Sequence, residues 1–551
     1  MPFLPFSPSV SSQFPATIAT IAAEADEARC VEMATLVVDN GAGILKAGLL
    51  PANLDAAAAE LAASPVRLAN ATAKSRLEKK FFVVCANLPC RATRASCRDI
   101  TPNTHVSSQQ FVPGIHVHLP HACTCVLTSV STQADGLDTA VELSALYIRR
   151  PHDRGYVVNW DLLGDVWQRM CHADVLGVKP GETSVLVTEP LFCPNEIKDN
   201  MDEFIFEEMG FQRFCCAPAP LLAYADYKCW DPDSVLSRTG CGILVDSGFS
   251  FTHTVPIYEG RIVHKACRRI DLGGKALTNL LKETISHRQF NMMDETVLIN
   301  SIKERLCFVS TRFDHDLRVC KKRGSNNPIR RLYSLPTGLP GTDRLGHVVS
   351  MDGDTETSAG KAAASPSKRA KAGTSASDSP SKARDPDADV AASKKGAEEA
   401  EEEIEEVLLE VGNERFTVPE VLFAPNMVGM HQCGIAHAIE ASIGLLDPDL
   451  HSLLYSTVVA NGGNTVMPGF HQRLEAELRM LAPDTFDVSV PVGPQASDEA
   501  AWRGGMRLAA SNALDRCWIT KAEYEEKGHH LCRQRFKEVQ NSMRVRKPGA
   551  K

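Results

Sequence analysis

Thr35-Leu-Val-Val-Asp-Asn-Gly-Ala-Gly43 and Gly242-Ile-Leu-Val-Asp-Ser-Gly-Phe-Ser250 say nearly the same thing far apart in one chain. Each is a β-branched apolar run that ends in Asp, passes through a small polar residue (Asn40 or Ser247) and reaches Gly, as a strand must if it is to turn sharply around a phosphate. Carboxylates at the strand ends, Asp39 and Asp246, can hold the waters of a Mg²⁺ ion that bridges phosphate oxygens. Gly41, Gly43 and Gly248 let backbone N–H groups approach the same ligand. One strand-Asp-Gly segment is an ordinary hairpin signal. Two of them, facing each other, would make a phosphate clamp.

A third segment, Val458-Val-Ala-Asn-Gly-Gly-Asn-Thr-Val-Met-Pro-Gly469, is another apolar strand running into a Gly pair. Taken alone it is a plain strand-turn-helix junction. The order of the three segments is what resembles the actin family, which has two phosphate hairpins followed by a Gly-Gly adenosine loop. Arg268-Arg-Ile-Asp-Leu-Gly-Gly-Lys-Ala-Leu-Thr278, Ser301-Ile-Lys-Glu-Arg-Leu-Cys307 and Trp502-Arg-Gly-Gly505 fall where that family has matching motifs. Within the family, Asp246 to Pro256, Gly273 to Lys282 and Ile285 to Thr296 are similar to a nuclear branch of actin-related proteins that serve chromatin remodellers. The resemblance covers residues 34–50, 145–320 and 413–536.

It implies an α/β actin-like fold, with two related RNase H-like lobes around a nucleotide cleft. The expected ligand is ATP or ADP with Mg²⁺. Asp39, Gly41, Gly43, Lys46, Asp246 and Gly248 would serve the phosphates, Asp39 and Asp246 reaching the metal through water. Lys303 and Glu304 would serve the adenosine side beside Gly462 and Gly463, and Asn40, Ser247, His253, Gly274 and Asn464 are also expected to bind the nucleotide. Without the family match, Lys303 and Glu304 read as an exposed helix pair. The role implied is that of a scaffolding subunit in a Swr-type complex that exchanges a histone variant into nucleosomes. Its partners would include the motor ATPase and a zinc-HIT protein, with nucleosomal DNA and histones reached through the complex. The expected location is nuclear, with a cytoplasmic pool also open; neither a filament nor a membrane contact is expected.

Binding a nucleotide needs a cradle and a metal, whereas cleaving it also needs a positioned water. Here the chain departs from actin. Ala42 replaces the hydroxyl residue of the first hairpin, and Phe249-Ser250 stands where actin has Asp-Gly. Pro218, in Cys216-Ala-Pro-Ala-Pro220, falls at the position of a water-orienting Gln, and Asp498 where a Lys lies near the base. His253 remains, yet one member rarely restores a unit that acts together. A non-catalytic, structural nucleotide is therefore expected, with at most residual ATPase activity. The alternative is an actin-fold ATPase acting independently, cytoskeletal or of sugar-kinase or chaperone type. An enzyme of the latter kind would need a catalytic carboxylate or an added substrate domain, and neither has a motif here.

Bulk properties agree with a modular protein. A chain of 551 residues with 44% apolar content exceeds one compact core. A net charge of −9 argues against a protein that coats nucleic acid along its whole length. Eighteen Cys, many set singly in apolar runs such as those of Cys267 and Cys307, point to a reducing compartment. No apolar stretch is long enough to span a bilayer, and no basic residue opens a secretory signal.

The expected organisation is a disordered extension over 1–33 and a first lobe over 34–240, completed by 491–551. A second lobe covers 241–490. The first lobe carries an irregular insert at 86–132, where Cys90, Cys97, Cys123 and Cys125 lie near His105, His116, His118 and His121; their spacing lacks tight pairs, so no zinc is expected. The second carries a charged insert at 321–406, too poor in large apolar residues to order, with basic runs that read equally as a nuclear address or a solvated linker. Asn195 is a plausible N-cap for a helix whose Ile197, Met201, Ile205 and Met209 share one apolar face.

Overall fold

The computed structural model describes residues 33–51, 65–75, 81–86, 126–128, 146–322, 327–336, 345–349, 407–495 and 497–543. The extension over 1–32 and nearly all of the Cys/His-bearing 86–132 segment lie outside them.

Both quoted segments form hairpins at the centre of a sheet. Ala34–Asn40 pairs antiparallel with Ile44–Leu50 and parallel with Thr183–Glu189. Gly242–Ser247 pairs antiparallel with Thr252–Tyr258 and parallel with Val458–Asn461. The first sheet has nine strands, running from Ile519–Thr520 through Arg213–Pro218 and Thr183–Glu189 to the hairpin, then outward to Val66–Ser75, Phe81–Ala86 and Val126–Thr128. Leu146–Arg149 pairs beside this path with Val66–Ser75. The second sheet has five strands, the hairpin being flanked by Val458–Asn461, Arg261–Ile262 and Arg268–Ile270.

The central strands read as continuous apolar runs because both of their faces are covered. In the first, Leu36 and Val38 enter a core with Trp167, Phe206 and Phe214, while Val37 points the other way into a core that also receives Leu244. In the second, Ile243 and Val245 face a third core with Leu277, Ile302 and Phe470, while Leu244 faces the shared one. That shared layer lies between the two sheets and is built from helices Ala219–Trp230 and Ala500–Ala510. The chain from 500 onward thus returns to the first lobe, adding Ile519–Thr520 to its sheet edge and helix Lys521–Ser542 across Arg213–Pro218.

Two local expectations are corrected. Asn195 is the first residue of helix Asn195–Glu203, the cap position being Pro194 with no side-chain bond. The helix then opens into a π turn, Phe204–Glu208, which rotates the register. In consequence Phe204, Ile205 and Phe206 carry the burial, and Ile197, Met201 and Met209 are only half-buried. The charged insert also begins later than 321. Arg331–Ser334 pairs with both His347–Val349 and Leu408–Val411, and Tyr333 is fully buried beneath them. Residues 350–406 lie outside the described set.

The twelve cysteines from Cys171 to Cys532 whose side chains the structure describes are free thiols, and among the described residues no helix is long and apolar enough to cross a membrane.

The helix pair of the shared layer meets at Gly504-Gly505. A Cβ on Gly504 would stand 1.8 Å from the Leu222 carbonyl oxygen, and one on Gly505 2.7 Å from Val37 Cγ1. Backbone cannot yield as a side chain can, so Gly504→Ala is expected to cost ~3 kcal/mol or more. Gly181, with nothing within 4 Å of its Cβ position, serves as the control. Gly181→Ala should stay within ~0.5 kcal/mol of wild type. Thermal unfolding of both variants checks this, and equal melting midpoints would remove the close approach as a constraint.

Candidate functional site

The hairpin registers place like beside like. Asp39 faces Lys46 across the first pair, and Asp246 faces His253 across the second. Each carboxylate is also held by the strand running parallel to its own. The Thr188 hydroxyl donates to Asp39 Oδ1 at 3.1 Å while accepting from the Asn40 amide at 2.9 Å, and Asn461 Nδ2 donates to Asp246 Oδ1 at 3.1 Å. Both carboxylates line a single cleft of about 1360 Å³ between the lobes. Burial, and then the charge of Asp39, push the Asp246 carboxyl up to about 6.

Asn40, Gly41, Gly43, Lys46, Gly248, His253, Gly274, Lys303, Glu304, Gly462, Gly463 and Asn464 line the same cleft. Ser247 does not: it is fully buried, with its hydroxyl 2.8 Å from the Thr252 hydroxyl and accepting from Asn464 Nδ2 at 3.1 Å. Its part is to fix Asn464, whose amide also reaches the Gly248 carbonyl at 2.8 Å. In this way the Gly-Gly loop is tied to the second hairpin. The tie needs glycine at 462, where φ is +103° and a Cβ would stand 2.3 Å from the Ser247 carbonyl oxygen.

Both lysines are already engaged. Lys46 is buried, 3.3 Å from Asp39 Oδ2, and it also donates to the Asp498 carbonyl, so it neutralises Asp39 instead of projecting freely into the cleft. Lys303 gives hydrogen bonds to the Gly274 carbonyl at 3.3 Å, the Thr278 hydroxyl at 3.0 Å and Asn300 Oδ1 at 2.9 Å. Burial lowers its pKa. It braces the start of helix Gly274–Arg288 from beneath the cleft wall, while Glu304 is exposed and accepts from Asn300.

The departures noted in the sequence have definite places. Phe249 lies against the first hairpin: a Cβ on Gly43 would be 2.9 Å from Phe249 Cβ and Cγ. Pro218 ends its strand, and the residues that line the cleft at this turn are Ala219 and Pro220, neither of which has a side-chain donor. Asp498 ion-pairs with Arg67 at 3.1 Å and offers its carbonyl to Lys46. His253 sits between the Phe192 and Phe251 rings, its Nε2 buried without a hydrogen-bond partner, as is Asn461 Oδ1.

Thr188, Asn461, Arg67 and Arg150 belong to the site and were not singled out by motif. Thr188 and Asn461 do carry a signal, a polar residue closing an apolar strand, at Val185-Leu-Val-Thr188 and Val458-Val-Ala-Asn461. The two arginines carry none, since their partners are distant in sequence.

The sequence that builds this arrangement has relatives among known proteins. The family model described as Actin matches residues 30–537. A protein named Actin-related protein 6 from Oryza sativa subsp. indica is 40% identical over 397 residues, covering 72% of this chain and 87% of that one. Its namesake from Arabidopsis thaliana is 38% identical over 401 residues, 73% and 88% of the two chains. One from Dictyostelium discoideum is 31% identical over 420 residues, 70% and 83% of the two chains. With paired hairpins, a Gly-Gly loop and a family match over most of its length, the chain belongs to the actin family.

Proposed function

We propose that this protein is a non-catalytic actin-fold subunit that scaffolds a Swr-type histone-exchange remodeller in the nucleus, and that its cleft holds ATP or ADP with Mg²⁺ as a structural ligand. The observation that carries the reading is the relatives named Actin-related protein 6, matched at 31–40% identity over most of their length. The partners in this proposal are the motor ATPase and a zinc-HIT protein of the same complex, with histones and nucleosomal DNA reached through it. No filament is proposed.

The residues present fit a nucleotide with a divalent ion. Two carboxylates face one cleft, and the unpartnered buried Nε2 of His253 and Oδ1 of Asn461 are atoms of the kind that take partners from a ligand or its waters. A bound metal would offset both the burial and, after it, the Asp39 charge that raise Asp246. Asp39 and Asp246 would hold it through water, Gly41 and Gly248 would present backbone amides, and Gly274, Gly462 and Gly463 would allow the base to lie close to backbone.

Hydrolysis is less well served. At the turn after Pro218 the cleft is lined by apolar side chains, and Lys46 is consumed by Asp39. His253 is pushed down to about 4 by burial and by Arg269, so it is neutral near pH 7 with one unpartnered ring nitrogen. A neutral imidazole can order a water, but among the described residues the Gln position that would complete the unit is held by Pro218. This is why the proposal favours a bound nucleotide over a turnover cycle, and why an independent ATPase is the weaker reading.

Three outcomes follow. Tandem affinity purification of the full chain from its own nuclei should recover a remodelling motor subunit and a zinc-HIT protein; recovery of neither would remove the scaffold reading. Mg²⁺ with ADP, at a hundredfold excess over its dissociation constant, should stabilise the purified chain by ~2.7 kcal/mol, while ATP shows no sustained multiple turnover. Calorimetric detection of steady ATP hydrolysis would contradict the non-catalytic assignment. The third concerns His253, whose folded pKa of about 4 lies below its ordinary 6.5. Above 6.5 neither state holds the proton. Between 6.5 and about 4 the unfolded chain takes it up and the fold does not, so stability falls with pH across that window, by on the order of 3 kcal/mol from this group. His152, likewise pushed down to about 4, adds in the same direction. Melting midpoints of His253→Gln should therefore drop less steeply from pH 7 to about 4.5 than those of wild type. Parallel slopes would show that the ring is not buried neutral.

A further inference from the structure

The second hairpin loop sends two phenylalanines into the opposite lobe. Phe251, 9% exposed, sits over Gly155, where a Cβ would be 2.3 Å from its Cε2; its ring centroid is 6.1 Å from that of Tyr156, and the Arg269 guanidinium carbon lies 3.6 Å from it. Phe249 crosses the cleft to the first hairpin. Its ring lies on the backbone of Gly43, and the guanidinium carbon of Arg150 stands 4.5 Å from its centroid. Arg150 is itself anchored to the first hairpin, donating from Nη1 to the Gly43 carbonyl at 3.1 Å. The loop cannot easily withdraw, because the Gly248 and Phe249 carbonyls accept the first amides of helix Gly274–Arg288, from Gly274 at 3.0 Å and Lys275 at 2.8 Å.

We propose that Phe249 is a specificity-determining residue that fits this cleft to a nucleoside diphosphate and against a triphosphate, its ring standing in the gap between the two glycine turns that a third phosphate would have to enter. The inference rests on the nucleotide reading above. Its physical ground is that a phosphate needs hydrogen-bond donors or cations around it, whereas the face of an aromatic ring is electron-rich, offers no donor and attracts cations instead. Here the ring covers Gly43 and engages Arg150, a cation that bonds the first hairpin at the Gly43 carbonyl. A third phosphate would have to displace the ring, breaking the Arg150 contact and the packing between lobes. A diphosphate could sit against Asp39, Asp246 and the Gly-Gly loop without disturbing Phe249.

The test is equilibrium titration of the purified full chain with Mg-ADP and Mg-ATP, by calorimetry or by displacement of a fluorescent nucleotide, for wild type, Phe249→Gly and Phe249→Leu. Wild type is expected to bind ADP at least about tenfold tighter than ATP. Phe249→Gly should bring the ratio close to one by gaining ATP affinity with ADP affinity little changed. Phe249→Leu keeps apolar bulk but lacks the ring face that holds Arg150, so it should gain part of the ATP affinity and narrow the ratio, which covers the case in which the glycine variant fails to fold. Wild type binding ATP as tightly as ADP, or a ratio that both variants leave unmoved, overturns the assignment to Phe249 while leaving the nucleotide reading intact. Binding of neither nucleotide to wild type overturns both, so the two failures are told apart.

Discussion

Two carboxylates brought to the mouth of one low-dielectric cleft repel each other, and most of the site is arranged around that cost. Asp39 and Asp246 end central strands whose neighbours are fixed on both sides, so neither can move away. The fold treats them unequally. Asp39 receives a buried ammonium and a hydroxyl, while Asp246 receives one side-chain amide, and burial and the residual field fall on Asp246 as a raised proton affinity. An arrangement that leaves one carboxylate undercompensated is a place where a divalent cation gains the most. Lys46 therefore works with the metal reading even though it does not project freely toward a phosphate.

What could be read from the sequence was whatever is local. A strand ending in Asp-x-Gly announces its own turn, because the apolar run, the carboxylate and the glycine freedom lie within a few residues; Asp39, Gly41, Asp246 and Gly248 are legible that way and all line the cleft, whereas Gly462 and Gly463 are legible only from the order of the three segments. The remainder depends on partners hundreds of residues apart. Nothing near Lys303 says that its ammonium is occupied by Gly274, Thr278 and Asn300, and nothing near Ser247 says that its hydroxyl turns inward to Thr252 and Asn464. The π turn at Phe204–Glu208 was hidden for another reason: a four-residue spacing of apolar side chains presumes a uniform helix, and one widened turn moves the buried face onto Phe204, Ile205 and Phe206. Arg331–Ser334 was lost inside a charged stretch because a single short strand gives almost no compositional signal.

The middle layer explains why the lobes keep a fixed relation at their base. Val37 from one sheet and Leu244 from the other reach the same core, filled by two helices that touch backbone to backbone at Gly504. Asp226, buried between them, is met by Arg503 at 2.9 Å and by Arg507 at 3.3 Å. Removing one partner from such a cluster strands a buried charge, so the cluster specifies how the helices meet more than it adds stability. With the base fixed in this way, the mouth of the cleft is where the lobes have freedom to differ.

At that mouth the contacts between lobes are made by side chains: Phe249 on Gly43 and Arg150, Phe251 on Gly155 and Tyr156, Phe192 beside His253. A ligand can shift a conformational equilibrium only by the difference in its affinity for the two states. Where closure depends on phosphates bridging two bare glycine turns, each change in phosphate number changes that difference. Where aromatic rings already span the gap, the lobes are held by protein contacts that a diphosphate leaves in place, and its binding has little left to shift. A subunit that must present one surface to its neighbours gains from that insensitivity, and an ATPase that must change shape through a cycle would lose by it.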